Sequence, residues 1–321
     1  MAKKIAVVRR LPQALLDQLA KFGELVIAPS EAGLDTAGLI ALMRDADAAL
    51  VTVLDAISAE VIAACPQLKL ICNIGVGYNN IDVASASARG ITVTNTPGAM
   101  DDAVADLAFG LMLGAARRLP QADAFVRTGQ WTPGNMTAFG MGLDVSHKTL
   151  GIVGFGRIGQ ALAKRARGFD MKVLYAARNR VIESIEQTLG ATHVSLDELL
   201  EQSDYVVLLV PYSEATHHLI GAAQLAKMKK TAVLVNVARG GVVDDAALAE
   251  ALKHGALAAA ALDCVENEPV VNEALCKLPN VVFTPHIGSA TPATRMNMAM
   301  LAVKNLATGL AGGVPPNVVN P

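Results

Sequence analysis

The sequence predicts an α/β protein made of two parallel-sheet units. Three observations carry this. The chain has 321 residues, 52% hydrophobic and 17% charged, which is enough for two cores of ordinary size. Short apolar runs alternate with amphipathic stretches along its length, the β-α-β-α rhythm of a layered fold. These runs are rich in Val, Ile and Leu and lack polar alternation, as strands buried on both faces of a parallel sheet do.

Taken in order, the first series places strands at 4–8, 25–28, 48–53, 68–73 and 91–94. Helical patterns lie between them at 11–20, 37–45, 59–65 and 83–89. A long pattern with acidic start signals, Asp101 to about Thr128, reads as one helix. A polar, glycine-rich stretch follows, from Gly129 to His147. The second series places strands at 149–153, 172–176, 205–210, 232–236, 258–262 and 281–284. A last helical pattern runs from Pro292 to Leu310, and periodicity does not say which unit it joins.

Composition excludes several classes. Lys plus Arg is 27 and Asp plus Glu is 29, a net charge of −2, so nothing neutralises a phosphate backbone and no nucleic-acid partner is expected. With 4% aromatic residues there are few platforms for stacking single-stranded bases. No run reaches about 18 uninterrupted apolar residues, so no membrane span is expected; the best stretch, 48–65, carries Asp55 and Glu60. The N-terminus reads as a first strand and not as a secretory signal. Cys65, Cys72, Cys264 and Cys276 form no C-x-x-C pair. They read as buried, reduced thiols of a cytoplasmic protein, with no metal expected.

The strongest motif is Gly154-Phe155-Gly156-Arg157-Ile158-Gly159, a GxGxxG between a strand and a helix. In that context it is a dinucleotide fingerprint. Gly154 allows the tight turn, Gly156 lets the backbone approach a pyrophosphate, and Gly159 lets helix and strand pack closely. The helix N-terminus then offers N–H groups to the phosphates. Enzymes using NAD place a carboxylate at the end of the second strand for the ribose 2′-hydroxyl. Here that place, 22 residues after Gly154, is Ala176, followed by Arg178 and Arg180. Two arginines without an acid suit a 2′-phosphate, which favours NADPH over NADH.

Three further residues stand just after predicted strands: Arg239 in Asn236-Val237-Ala238-Arg239-Gly240-Gly241, Glu268 in Asp263-Cys264-Val265-Glu266-Asn267-Glu268-Pro269, and His286 in Pro285-His286-Ile287-Gly288. Ligands of open α/β sheets bind at the carboxyl ends of strands, where all three could converge. Singly, each could equally be a surface or loop residue.

Together, these motifs resemble those of the D-isomer-specific 2-hydroxyacid dehydrogenase family. The segments that carry the resemblance are NIGVGYNNIDV at 73–83, TNTPG at 94–98, the fingerprint at 151–160, VNVARGG at 235–241, LDCVENEP at 262–269 and PHIGSAT at 285–291. The likeness spans nearly the whole chain. Within the family it runs nearest the branch that reduces glyoxylate, hydroxypyruvate and 2-ketogluconate. Cys264-Val265 stands where Val-Phe is common, and Tyr212 where leucine is common.

The resemblance implies a Rossmann cofactor domain, 100–287, inserted into a discontinuous flavodoxin-like substrate domain, 1–99 and 288–321. The active site would lie in the cleft between them, with hinge closure. It assigns the last helix to the substrate domain. The reaction implied is NADPH-dependent reduction of a small 2-keto acid to a D-2-hydroxy acid. His286 would be the general acid, since imidazole titrates near neutral pH. Glu268 would orient it and favour its protonated form. Arg239 would hold the substrate carboxylate and polarise the carbonyl oxygen. Gly75, Val76 and Gly77 would offer backbone amides to the same carboxylate, and Leu54 or Thr52 would line the pocket. Arg157, Ile158, Pro211, Thr216 and Val237 would contact the cofactor, and Asp263 would accept from its carboxamide. The implied partner is a second copy of the chain in a homodimer, and Trp131 would either reach the neighbouring subunit or simply pack. Two other readings stay open: an NAD-preferring dehydrogenase of the lactate or phosphoglycerate type, and a nicotinamide-sensing interaction protein without turnover.

Overall fold

The computed structural model describes residues 2–29 and 33–320. The chain divides into two compact units, Met1–Met100 with Thr291–Pro321, and Asp101–Ala290.

The first unit is a five-stranded, all-parallel sheet of β1 (Lys4–Val7), β2 (Glu24–Ile27), β3 (Ala48–Thr52), β4 (Leu70–Ile74) and β5 (Thr92–Thr94). The spatial order is β2-β1-β3-β4-β5, the flavodoxin-like winding. The last helix, Pro292–Leu310, packs here: Ala302, Val303 and Leu306 share a core with Ile5, Val7, Leu50, Leu70 and Cys72. Its start is set by Thr291, whose hydroxyl accepts from the Thr294 N–H, an N-cap. Beyond it, Asn320 accepts from the Val93 N–H and ties the tail to β5.

The second unit holds seven parallel strands: β6 (Thr149–Val153), β7 (Lys172–Ala176), β8 (Ala191–His193), β9 (Tyr205–Leu208), β10 (Val233–Asn236), β11 (Ala259–Leu262) and β12 (Val281–Phe283). The order β12-β11-β10-β9-β6-β7-β8 reverses direction between β6 and β9. Ligands of doubly wound sheets bind at such a switch point. Strands β9 and β10 are fully buried, which explains their unbroken apolar sequence.

Three local expectations need correction. The apolar pattern does not predict strand β8: its three residues, Ala-Thr-His, lie at the sheet edge and carry no apolar run. The long helix from Asp101 is two helices, Asp101–Ala116 and Leu119–Arg127. Pro120 has no N–H for the Ala116 carbonyl, so the helix cannot run on. Arg118 takes the left-handed conformation, φ 55°, and the Leu143 N–H satisfies that carbonyl at 2.8 Å. Lastly, Cys276 is exposed, while Cys65, Cys72 and Cys264 are buried; none of the four is in a disulfide. Among the described residues no helix is long and apolar enough to cross a membrane.

Candidate active site

The fingerprint turn joins β6 to the helix Arg157–Ala166. Each glycine has its own steric reason. Gly154 sits at φ 99°, and a Cβ there would lie 2.8 Å from the Leu209 carbonyl. A Cβ on Gly159 would lie 2.5 Å from the Gly154 oxygen, so helix and turn touch through backbone alone. A Cβ on Gly156 would meet no protein atom within 4 Å. Nothing internal requires that glycine, whereas a ligand lying against the turn would. Gly156 caps the helix without a side-chain hydrogen bond, so the first-turn N–H groups are left for an anion. Arg157 turns aside to pair with Asp101 at 2.6 Å, and Ile158 is half-buried. These residues fit a dinucleotide.

At the end of β7 the two predicted arginines part company. Arg178 is exposed beyond the buried Ala176. Arg180 instead makes a bidentate pair with Glu186, at 2.9 and 2.7 Å. Glu186 also accepts from the Tyr175 hydroxyl at 2.6 Å. The hydrogen bond from Arg180, then that from Tyr175, hold the Glu186 carboxyl down at about 2. Expecting both arginines to be available to a phosphate is therefore revised: the Arg180 fork is taken. Pro211 and Thr216 do meet, with the Thr216 hydroxyl donating to the Pro211 carbonyl at 2.8 Å. The Val237 side chain is buried in the core.

His286 and Glu268 come together at the ends of β12 and β11. The His286 Nδ1 lies 2.8 Å from Glu268 Oε2, and the Val265 N–H donates to Glu268 Oε1 at 3.1 Å. Burial pushes the Glu268 carboxyl up, but the bond and charge of His286, the Val265 amide and Arg239 outweigh it, and the net direction is down. Arg239 follows β10, where the buried Asn236 shapes its loop: the amide donates to the Arg239 and Cys264 carbonyls at 3.0 and 3.1 Å. A Cβ on Gly240 would collide with the Val265 carbonyl, so the Arg239 loop and the Glu268 loop are in backbone contact. The Cys264 thiol is buried behind them, and burial first, then Glu268, raise its pKa.

Asp263 has an employment in addition to the one expected. It is 3% exposed, and its carboxylate accepts from the Thr284 hydroxyl, the Ile287 N–H and the Gly288 N–H at 2.6, 2.8 and 2.9 Å. Its own carbonyl accepts from the His286 N–H at 3.0 Å. These four bonds bracket His286, which is held at φ 52°. Three donors on its carboxylate make Asp263 the residue that shapes the histidine loop, and Oδ2, with a single donor, keeps an acceptor site. Spacing in the sequence could not show this, because every partner lies more than 20 residues away.

In the first unit, the turn Gly75-Val76-Gly77 follows β4. Its three carbonyls are all tied inward, to the Thr96 N–H and to the amides of Asn95 and Asn73. The Val76 and Gly77 N–H groups donate to no acceptor among the described residues. Such a turn has amides to offer an anion. Leu54 is exposed on a turn held by Asp55, whose carboxylate accepts from the Thr52 N–H at 2.8 Å and pairs with Arg9 at 3.0 Å.

Among the described residues, two sets of metal-ligating atoms cluster within 4.8 Å, Cys264-Glu268-His286 and His218-Asp244-Glu266. In the first, Glu268 and His286 already bond each other. In the second, the imidazole turns a different nitrogen to each carboxylate. In both, the contacts made are those of an imidazole with carboxylates.

Comparison with known proteins identifies the family. Residues 109–288 match the model of the D-isomer-specific 2-hydroxyacid dehydrogenase, NAD-binding domain. A glyoxylate reductase of Thermococcus litoralis is 46% identical, over 100% of this chain and 97% of its own length. A crystal structure of a glyoxylate reductase from Paecilomyes thermophila superposes with a TM-score of 0.90 at 34% identity, covering 99% of this chain and 98% of that one. An NADPH-dependent glyoxylate/hydroxypyruvate reductase of Sinorhizobium meliloti, in complex with NADP and malonate, superposes with a TM-score of 0.89 at 36% identity, covering 99% and 97%. The chain belongs to the D-isomer-specific 2-hydroxyacid dehydrogenase family. It is an oxidoreductase acting on CH–OH donors, with an NAD-binding domain.

Proposed function

We propose that this protein is an NADPH-preferring reductase of small 2-keto acids, glyoxylate and hydroxypyruvate first among them and 2-ketogluconate next. The observation that carries the reading is the His286–Glu268 pair at 2.8 Å, beside the Arg239 loop. A general acid whose far nitrogen is fixed by a carboxylate presents its near nitrogen to a carbonyl oxygen.

In this reading the fingerprint turn holds the pyrophosphate of the dinucleotide, with Gly156 as the point of approach. Bound and reduced, the nicotinamide supplies the hydride that the carbonyl carbon receives. His286 gives its Nε2 proton to the carbonyl oxygen. Glu268 stabilises the imidazolium before the transfer and keeps the ring oriented after it. The Arg239 guanidinium binds the carboxylate and stabilises charge growing on the oxygen. In the first unit, the same reading assigns carboxylate binding to the Val76 and Gly77 amides, and a lining role to Leu54. Residues 1–99 and 288–321 are then the substrate domain, and 100–287 the cofactor domain.

Arg178 is the proposed partner of the 2′-phosphate. Because Arg180 is paired with Glu186, the proposed preference for NADPH over NADH is assigned to Arg178. A homodimer is part of the proposal. Its support is the exposed apolar set Leu119, Val126, Trp131, Met136 and Met141 along one stretch of chain.

The test is oxidation of NADPH and of NADH, in parallel, against glyoxylate, hydroxypyruvate and 2-ketogluconate. Turnover with NADPH well above NADH supports the reading. Tight cofactor binding without turnover on any keto acid would replace it with the sensing protein.

A further inference from the structure

A second histidine stands outside the proton-transfer pair and is bound into the same loops. His218 occupies a left-handed backbone position, φ 47°, just after the Pro211–Thr216 loop. Its N–H donates to the Gly241 carbonyl at 2.7 Å, two residues beyond Arg239. Its Nε2 lies 2.5 Å from Glu266 Oε1, and its Nδ1 3.8 Å from Asp244 Oδ2. Glu266 is two residues before Glu268, and its N–H donates to Asp245 Oδ2 at 3.1 Å. One imidazole thus joins three loops: its own, the one that starts at Arg239, and the one that carries Glu268.

The charges around it favour the imidazolium form. Glu266 and Asp244 face the ring directly, and the buried Asp245 lies behind them. The His217 ring stacks on the His218 ring at 4.0 Å, with the Tyr212 hydroxyl 3.2 Å from His217 Nδ1. Three carboxylates therefore crowd one imidazole. The bond to Glu266 raises the His218 pKa; burial opposes this, and the charges of Glu266, Asp244 and Asp245 add to it. Burial, reinforced by the charges of Glu266 and Asp244, drives the Asp245 carboxyl up to about 6, although the Glu266 amide favours its ionised form.

We propose that His218 is a positioning residue for the reductase: its imidazolium, held between Glu266 and Asp244, sets the loop that places Glu268 against His286. The inference rests on the reading of Glu268 and His286 given above. Its consequence has a sign. The clamp is complete while His218 is protonated and is lost as pH rises through its elevated pKa. Glu266 and Asp244 then repel across a neutral ring, and the Glu268 loop relaxes.

The experiment compares wild type, His218→Asn, Glu266→Gln and the double variant, with glyoxylate and NADPH across pH. Asparagine is chosen because it tolerates a left-handed backbone, and Glu266→Gln approaches the same bond from the other side should the first variant not fold. The expected result is a fall in kcat of about tenfold or more in each single variant, since small misplacements at a reacting centre are costly. The double variant falls no further than either single one, and KM for NADPH stays within about twofold. The pH profile of kcat loses one ionisation on its alkaline side. A kcat within about twofold of wild type overturns the proposal. So does a fall that leaves the shape of the pH profile unchanged. His286→Ala, assayed alongside, separates the two readings. If it is inactive while His218→Asn behaves as wild type, this inference alone fails; if wild type reduces no keto acid, both fail.

Discussion

The fingerprint turn and the 263–288 region stand at the ends of strands of one sheet, yet they are built by opposite means. Around Gly154–Gly159 the fit is made by backbone: two glycines are required by contacts of 2.8 and 2.5 Å, and the third faces open space. Around His286 it is made by side chains, with Asp263 bracketing the loop through four hydrogen bonds and Glu268 fixing the ring. The difference teaches where each function is vulnerable. A backbone cradle fails by added bulk. A side-chain scaffold fails by the loss of one acceptor.

The largest effect belongs to the side-chain region. His286→Ala should lower kcat by about a thousandfold, within the range general acid catalysis supplies, and leave NADPH affinity near wild type. Steady-state kinetics with a parallel binding titration checks both. Turnover near the wild-type rate would remove His286 from proton transfer.

Gly159→Ala sharpens the other side of the comparison. Its Cβ meets backbone at 2.5 Å, so overpacking should destabilise the unit by about 1–3 kcal/mol. Denaturant unfolding should show this without any cofactor present. An unchanged midpoint would mean the close helix–turn contact is not required.

At the end of β7 the comparison runs between two arginines. Arg178→Ala should narrow the NADPH-over-NADH ratio in kcat/KM by about tenfold, the worth of one charge-assisted contact. Arg180→Ala should leave that ratio nearly unchanged and instead lower the melting temperature, because Glu186 loses its bidentate partner. The reverse pattern would hand the 2′-phosphate to Arg180.

The smallest effect is on stability. The Asp245 carboxyl is raised to about 6, so its charged form is disfavoured in the folded chain. Native stability linked to it is full below the ordinary carboxyl range and declines as pH rises through about 6. Asp245→Asn keeps an oxygen for the Glu266 N–H and should gain about 1 kcal/mol at pH 7.5 and nothing at pH 4. A gain equal at both pH values would show that charge burial is not the cause.

These differences also explain what could be read from the sequence. The three glycines act through backbone within six residues, so a short pattern carries them. The buried strands were legible because apolar runs in a parallel sheet need no partner to be recognised, whereas the edge strand β8 has none and escaped. The helix break at Arg118 was hidden because Pro120 acts four residues upstream of itself, on a carbonyl that Leu143 then satisfies. His286, Glu268 and Arg239 were visible as residue types after strands, and family motifs supplied their grouping. What linear order could not show is the support around them. Asp263 reaches Gly288 across 25 residues, and His218 reaches Glu266 across 48. The pairing of Arg180 with Glu186, by contrast, spans only six residues, but nothing in the local pattern distinguishes a paired arginine from a free one.

On the proposed reading, cofactor binding and proton transfer rest on separable structures at the ends of different strands of one sheet. The most direct test measures NADPH affinity and saturated kcat for Gly156→Ala and Asp263→Asn side by side. Gly156→Ala should fold normally, lose cofactor affinity by about tenfold or more, and keep kcat once saturated. Asp263→Asn should hold NADPH near wild-type affinity and lose kcat by about a hundredfold, because an amide N–H₂ would face a donor in the His286 loop. If both variants fail in the same parameter, the two structures are not separable and the account is wrong.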